Sequence, residues 1–471
     1  MVAGVVTLED EERLMEPTPA VLDELVAALP DGVAIVDPVL MDKYRWDRAA
    51  DPDAGMPAAV VRAECTEHVQ TALRWASEHR VAVVPRGAGT GLSGGSTARS
   101  GGIVVSTERM RDISIDPLSR VAVVQPGLLN AEVKKAAAAN GLWYPPDPSS
   151  FEICSIGGNI ATNAGGLCCV KYGVTTDYVL ALEVVLADGR ALKLGGPRLK
   201  DSAGLSLTKL FVGSEGTLGI ITEVTLRLLP PQHPPRTVVA SFANTHAATE
   251  AIVAITSRMR PAMLEYMDRT TVNAVEDNLR MGLDRSAAAL LVAQTDTEGT
   301  TAERELAEIV EACERCGADE VLATDDPREG EAFTVARRQA IPSMEKKGKL
   351  LLEDVGVAVP RLPALVAGIE KIADARQVTI ALIAHAGDGN THPLIVFDPS
   401  DGAATARAQV AFGEVMDLAI ELGGTITGEH GVGRLKQPWL AAQVGEDVMD
   451  LSRRIKDAID PLGILNPGAV L

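Results

Sequence analysis

The chain has 471 residues, 46% hydrophobic and 23% charged, a balance that excludes disordered, collagen-like and coiled-coil classes and suits two or three domains. Lys plus Arg number 44 against 64 for Asp plus Glu, a net charge of −20, so polyanions are repelled at long range and nucleic acid is not an expected partner. Aromatics are only 3% while glycines number 43, so the cores must be built from Ala, Val, Leu and Ile.

The first twenty residues are acidic and lack a basic region followed by an apolar run. No stretch approaches the roughly 18 apolar residues of a span, so the expectation is a cytoplasmic protein that meets a membrane only through a partner. Six cysteines in so long a chain read as reduced thiols rather than a disulfide framework.

In chain order, periodicity predicts a helix over 19–29, an extended polar segment over 37–53, and strands over 58–61, 81–84, 103–105 and 121–124, with helices over 66–79 and 130–140 between them. The stretch PPQHPPR at 230–236 has four prolines in seven residues, so it neither continues a helix nor donates to a sheet and marks the expected boundary. Beyond it, helices are expected over 245–258, 300–316, 363–375 and 403–422, and strands over 288–294 and 379–384. The expected fold class is α+β, with an α+β first half and a second α/β layer. The closing residues 455–471 read as a short helix broken at Pro461 and a docked tail.

Residues 85–96, PRGAGTGLSGGS, contain G-x-G-x-x-G at Gly89, Gly91 and Gly94, with Glu108 roughly where a Rossmann unit places its ribose-binding acid. That fingerprint must open a helix, whereas two more glycines and a β-branched strand follow here, which argues against a nicotinamide site. Twelve residues with five glycines can still bring many backbone amides against one diphosphate; the plainer reading is a surface loop. SIGGNIATNAGG at 155–166 and GSEGTLGIITEV at 213–224 add two more such clusters, more than turns require.

Farther on stand HAGDGNTHP at 385–393 and GEHGVGRLK at 428–436. His385 and His392 have two glycines between them, so the chain can double back and present both imidazoles to one point; with Glu429 they suit a two-histidine, one-carboxylate divalent site. The plainer reading is that each histidine bonds a nearby backbone group. Three of only seven histidines lie in these two loops, with Asp388 and Asn390 beside them, which favours function.

These segments resemble the vanillyl-alcohol-oxidase, or PCMH-type, class of FAD-binding domains, and within it the glycolate oxidase FAD subunit and D-lactate dehydrogenases, over residues 37–471. The resemblance implies a PCMH-type FAD-binding domain over 1–230, core about 50–230, and an FAD-linked oxidase C-terminal substrate (cap) domain over 236–471 with a docked tail. It assigns Pro85, Arg86, Gly87, Ala88, Gly89, Thr90, Gly91, Ser93 and Gly94 to the pyrophosphate loop. Pro146, Asp147, Ser155, Ile156, Gly157, Gly158, Ala161, Asn163, Gly165, Gly166, Tyr172 and Gly173 fall along the isoalloxazine and ribityl stretch. Glu215, Gly219, Ile220 and Ile221 stand on the adenine side, and Asn466 returns to the flavin, its other reading being a turn residue before Pro467. Relatives with covalent flavin carry a histidine where this chain has Arg86-Gly87-Ala88-Gly89, so non-covalent FAD is expected.

In 2-hydroxyacid dehydrogenases of this class, the positions matching His385, His392 and Glu429 bind a divalent metal, Zn or Mn, and the match of His430 is the base beside the flavin. Arg337 matches the carboxylate-binding arginine, while Asn390 and Lys436 complete the expected catalytic set. Ile341 and Leu352 stand where relatives taking 2-hydroxyglutarate carry Thr and Lys, which disfavours a dicarboxylate. The implied activity is oxidation of a small D-2-hydroxy acid, glycolate or D-lactate. The electron acceptor is unnamed by the sequence, with an iron–sulfur subunit and a quinone among the candidates, and an oligomer is compatible with it. The alternatives are a transferase resembling alkylglycerone-phosphate synthase and a flavin-carrying subunit of a larger complex. Cys168 and Cys169 read as packed thiols, and Cys313-x-x-Cys316, in a helical pattern with no second pair, supports neither a zinc ribbon nor an iron–sulfur cluster.

Overall fold

The computed structural model describes residues 14–49 and 51–471. Contacts divide the chain into two units, one formed by residues up to Ala164 with Val174–Pro231 and Glu429–Leu471, the other by Gly165–Gly173 and Gln232–Gly428.

In the first unit, β1 (Ala34–Ile35), β2 (Ala59–Arg62), β3 (Val83–Arg86) and β4 (Ile103–Ser106) form a sheet in the order β1-β2-β4-β3. Strands β2 and β3 both run parallel to β4, so the step from β2 to β3 needs a crossover, and the helix Thr66–His79 supplies it. That helix buries Val69, Ala72, Leu73 and Ala76, the stripe of a helix lying on a core. They meet Val61, Val83, Ile103 and Val105 from the strands. Strands this apolar suit a parallel sheet covered on both faces.

A second, antiparallel sheet of this unit orders β5 (Ile113–Asp116), β6 (Val121–Val124), β7 (Val179–Val185), β8 (Ala191–Gly195) and β9 (Ile220–Arg227) as β5-β6-β9-β7-β8. Its core joins Val124, Leu182 and Val224 to Val133 and Ile160 of the helices Asn130–Ala139 and Ile156–Thr162. Within the stretch 37–53, expected to be extended and with residue 50 outside the described residues, 37–44 instead turns. Asp37 caps the Val39 amide at 2.9 Å and Pro38 opens the short helix Pro38–Met41, followed by a 3-10 turn Asp42–Tyr44.

The second unit is built on β10 (Arg236–Phe242), β11 (Met263–Asp268), β12 (Ala289–Thr295), β13 (Ala318–Thr324), β14 (Lys349–Leu352), β15 (Val355–Gly356), β16 (Thr379–His385) and β17 (Asn390–Phe397). Their order is β13-β10-β12-β11-β16-β17-β14, with β15 also on β17, and the pairings are antiparallel. Helices alternate with the strands. Three of them, Arg269–Leu279, Pro327–Arg338 and Ala340–Glu345, pack Val272, Val275, Ala336, Ala340 and Met344 against Met263, Met267, Ile383 and Leu394 of the sheet.

The chain thus divides at Pro231/Gln232, inside the proline-rich stretch, but two segments depart from the expected bounds. Gly165–Gly173, expected within 1–230, joins the second unit because Lys171 and Tyr172 both bond the buried Asp296 carboxylate and Leu167 enters the second core. Residues Glu429–Leu471, expected within 236–471, join the first unit. There Val83 donates to Ile464 O at 2.8 Å, Asn466 donates to Val83 O at 2.7 Å, and Ile464 and Leu465 are buried in the first core. No helix among the described residues is long and apolar enough to cross a membrane. Among the described residues, the six cysteines form no disulfide.

Candidate active site

In the first unit, the turn after β3 carries the glycine-rich loop. The Ser155 side chain joins two of the expected motifs: it caps the helix Ile156–Thr162 by accepting from Gly158 N at 3.3 Å, and it accepts from Ala88 N of the loop at 3.1 Å. A Cβ at Gly87 would overlap Ser155 Oγ, so only glycine allows this approach. Arg86 curls beneath the loop, donating to Ser96 O at 3.3 Å and Lys43 O at 3.4 Å. Burial lowers its pKa. Gly89 and Gly94 take positive φ, the left-handed backbone that turns successive amides to one side. Glu108, the acid of the rejected Rossmann reading, instead accepts the Tyr44 hydroxyl.

Asp47, which sequence reasoning missed, stands beside Gly91, and burial pushes its carboxyl up to about 6. Among the described residues, Asp47 Oδ2 and Thr97 Oγ1 are buried without a hydrogen-bond partner. Orphaned donors and acceptors around a glycine loop fit a ligand rich in hydroxyl and phosphate groups, as the expected dinucleotide is. Other residues assigned to the flavin make contacts within the protein. Ile220 and Ile221 are buried in the two cores, and Asn163 caps its helix at φ 52° while accepting from Thr176 N. Pro146 O accepts from Asn130, and Tyr172 is tied to Asp296 in the second unit.

Glu215 and Ser93 bond the loop that carries Glu429 and His430, and Asn466 bonds Glu215 in turn. Glu215 accepts from Val432 N at 2.7 Å through one oxygen and from Gly433 N at 2.8 Å through the other. Burial pushes its carboxyl up to about 7, against the pull of those amides and Lys436. Ser93 Oγ donates to Gly431 O at 2.8 Å, and Ser93 O accepts from Arg434 N at 2.9 Å. Asn466 Nδ2 donates to Gly95 O and Glu215 O, at 2.8 and 2.7 Å. Glu429 and His430 are neighbours in the chain, with His430 Nε2 3.9 Å from Glu429 Oε1, and Lys436 is almost fully buried.

In the second unit, β16 and β17 form a hairpin whose turn is the HAGDG stretch. His385 pairs in register with Asn390, and His392 pairs with Ile383, two residues along β16 from His385. Alternation therefore sets both imidazoles on one face, with ring centroids 5.1 Å apart and edge to face. Glu265 of β11 lies directly across from His385, and its two oxygens sit 2.9 and 3.0 Å from His385 Nδ1. The same carboxylate holds Arg337 Nε at 2.8 Å, both side chains being 1% exposed. Among the described residues, Asn390 Oδ1 is buried without a hydrogen-bond partner, and a Cβ on Gly428 would overlap it. Two imidazoles and an orphaned amide oxygen form a donor set that fits a divalent cation. The buried Asp354, also missed by sequence reasoning, accepts from Thr427 Oγ1 at 2.7 Å and Gly428 N at 2.9 Å, with its other oxygen 3.7 Å from His392 Nδ1. Ile341 and Leu352 pack against the apolar core.

A glycine cradle for a dinucleotide in one unit and a histidine hairpin with a buried arginine in the other define a flavin-dependent oxidoreductase. The chain belongs to the FAD-linked oxidases: residues 232–470 match the family of FAD linked oxidases, C-terminal domain, and residues 57–195 match the FAD binding domain family. It is 42% identical to the glycolate oxidase subunit GlcD of Bacillus subtilis over 90% of this chain and 91% of that one. It is 35% identical to the D-lactate dehydrogenase of Archaeoglobus fulgidus over 91% of this chain and 96% of that one. Among solved structures, p-cresol methylhydroxylase with substrate bound superposes with a TM-score of 0.81 over 99% of this chain and 98% of that one, at 18% identity, a likeness of fold.

Proposed function

We propose that this FAD-linked oxidase converts a small D-2-hydroxy acid, glycolate or D-lactate, to the 2-oxo acid. The observation that carries the reading is the placement of His385, His392 and the orphaned Asn390 Oδ1 on one hairpin, with Arg337 held at its side through Glu265. Names of the relatives support the substrate class: a glycolate oxidase subunit and a D-lactate dehydrogenase.

When bound, non-covalent FAD supplies a two-electron acceptor and a divalent ion, Zn or Mn, supplies Lewis acidity. The protein's part is to bind, orient and move a proton. Arg337 pairs with the substrate carboxylate, and His430 takes the hydroxyl proton as general base. His385 and His392 would hold the ion through nitrogen and Glu429 through its carboxylate, while Asn390 belongs to the catalytic set. Lys436 steadies the loop that follows His430. The packing of Ile341 and Leu352 in the core supports a monocarboxylate. The name of the Bacillus relative, a subunit, supports passage of electrons to a partner, an iron–sulfur subunit or a quinone.

Turnover with an artificial electron-accepting dye tests the reading. Glycolate or D-lactate should reduce the dye with formation of one 2-oxo acid per two electrons, and chelation should abolish the rate until Zn2+ or Mn2+ is restored. Dye reduction unaffected by exhaustive chelation would contradict the metal's role, and no reduction by either acid would contradict the substrate class.

A further inference from the structure

We infer that Glu265 is the positioning residue of the second unit's site, setting at once the ring orientation of His385 and the guanidinium of Arg337. The inference deepens the proposed function, since it takes His385 as a metal ligand and Arg337 as the carboxylate anchor.

The placement begins in the sheet. Glu265 stands on β11 directly opposite His385 on β16, a cross-strand pair on the same face. Its neighbours on that face, Met263 and Met267, belong to the apolar core. A buried charge there is costly, and apolar side chains in place of the whole Glu265–Arg337 pair would stabilise the sheet as well or better. A reason beyond stability is therefore required.

Two contacts supply it. With a carboxylate at 2.9 and 3.0 Å, His385 Nδ1 is the nitrogen that carries the proton, and Nε2 is the one that presents a lone pair to a metal. Arg337 Nε stands 2.8 Å from the same carboxylate in a fully buried ion pair, which keeps the guanidinium beside it. A 2-hydroxy acid carries its hydroxyl and carboxylate on adjacent carbons, so cation and guanidinium must keep one spacing. Anchoring both to a single carboxylate on a strand keeps it.

The test titrates the FAD-loaded protein with Mn2+ and, separately, Zn2+ by equilibrium dialysis, alongside flavin content and steady-state KM for the hydroxy acid. Glu265→Gln should weaken metal binding about 10–100-fold and raise KM, with the flavin retained. Arg337→Lys should raise KM and leave metal binding within twofold of the parent, a split that a general loss of structure would not give. If Glu265→Gln fails to fold, Glu265→Asp keeps the charge one methylene shorter and should still bind Mn2+ more weakly than the parent. Parent protein that binds neither metal would overturn the metal reading and this inference together. A parent that binds metal while a folded Glu265 variant binds it equally well would overturn this inference alone.

Discussion

Glu215 and Gly433 are joined by a 2.8 Å hydrogen bond from the glycine amide to a carboxylate oxygen, and the other oxygen takes the Val432 amide. Glu215 itself holds a left-handed φ of 49°, an unfavourable conformation for a residue with a side chain, so its position is enforced by its surroundings. Through this clamp, a residue of the first unit's flavin half shapes the loop that carries Glu429 and His430.

Gly433 is the most exacting glycine of that loop, because its φ is 52° and a Cβ would overlap the Ser93 carbonyl. Gly433→Ala should cost about 1–3 kcal/mol and lower kcat well below the parent's while the flavin stays bound. Urea unfolding with flavin absorbance at each step checks both parts; unchanged stability would contradict the clamp.

The carboxyl of Glu215 is pushed by burial up to about 7 from an ordinary 4.5, so the folded state keeps this proton to higher pH than the unfolded chain does. Its contribution to stability is full below about 4.5 and is lost as pH climbs through about 7. Melting temperature should therefore fall between pH 5 and 8, and Glu215→Gln should flatten that slope. Equal slopes for the two proteins would show that Glu215 is not the titrating group.

Asp296 receives Lys171, Tyr172 and Gln232 and thereby ties Gly165–Gly173 to the second unit. Asp296→Asn should cost about 2–4 kcal/mol, near the low end for a buried pair because Lys171 is 23% exposed. Limited proteolysis should then cut within 165–173 faster than in the parent, and an unchanged pattern would contradict this anchoring.

His392→Ala should abolish turnover and metal binding while flavin remains at the parent's stoichiometry, because the glycine-rich loop lies in the first unit and His392 in the second. Metal analysis and the visible spectrum of one sample decide it; loss of flavin would contradict a role of His392 confined to the metal. His430→Ala should keep both flavin and metal yet slow flavin reduction by about 100-fold or more, as removal of a general base does.

Much of this was legible locally. The glycine loop and the HAGDG turn carry their chemistry within a dozen residues, and the paired histidines follow from a hairpin that the two glycines permit. Glu265 was not legible, because it meets His385 only through strand pairing 120 residues apart, and one glutamate in an apolar strand gives no periodic signal. Asp354 was hidden for the same reason, its partners lying 73 and 74 residues away. The transfer of 165–173 to the second unit depends on Asp296, again a distant residue. The short helix at Pro38 was legible: Asp37 before a proline is a cap followed by a first helical position, and the polar composition obscured it.

The most direct measurement is the anaerobic visible spectrum of the purified protein with glycolate, D-lactate, L-lactate and D-2-hydroxyglutarate added in separate cuvettes. A two-band flavin spectrum that bleaches with glycolate or D-lactate, and not with L-lactate or the dicarboxylate, is the expected result. A flavin spectrum that none of the four acids bleaches would contradict 2-hydroxy acid oxidation and give weight to a flavin transferase in its place.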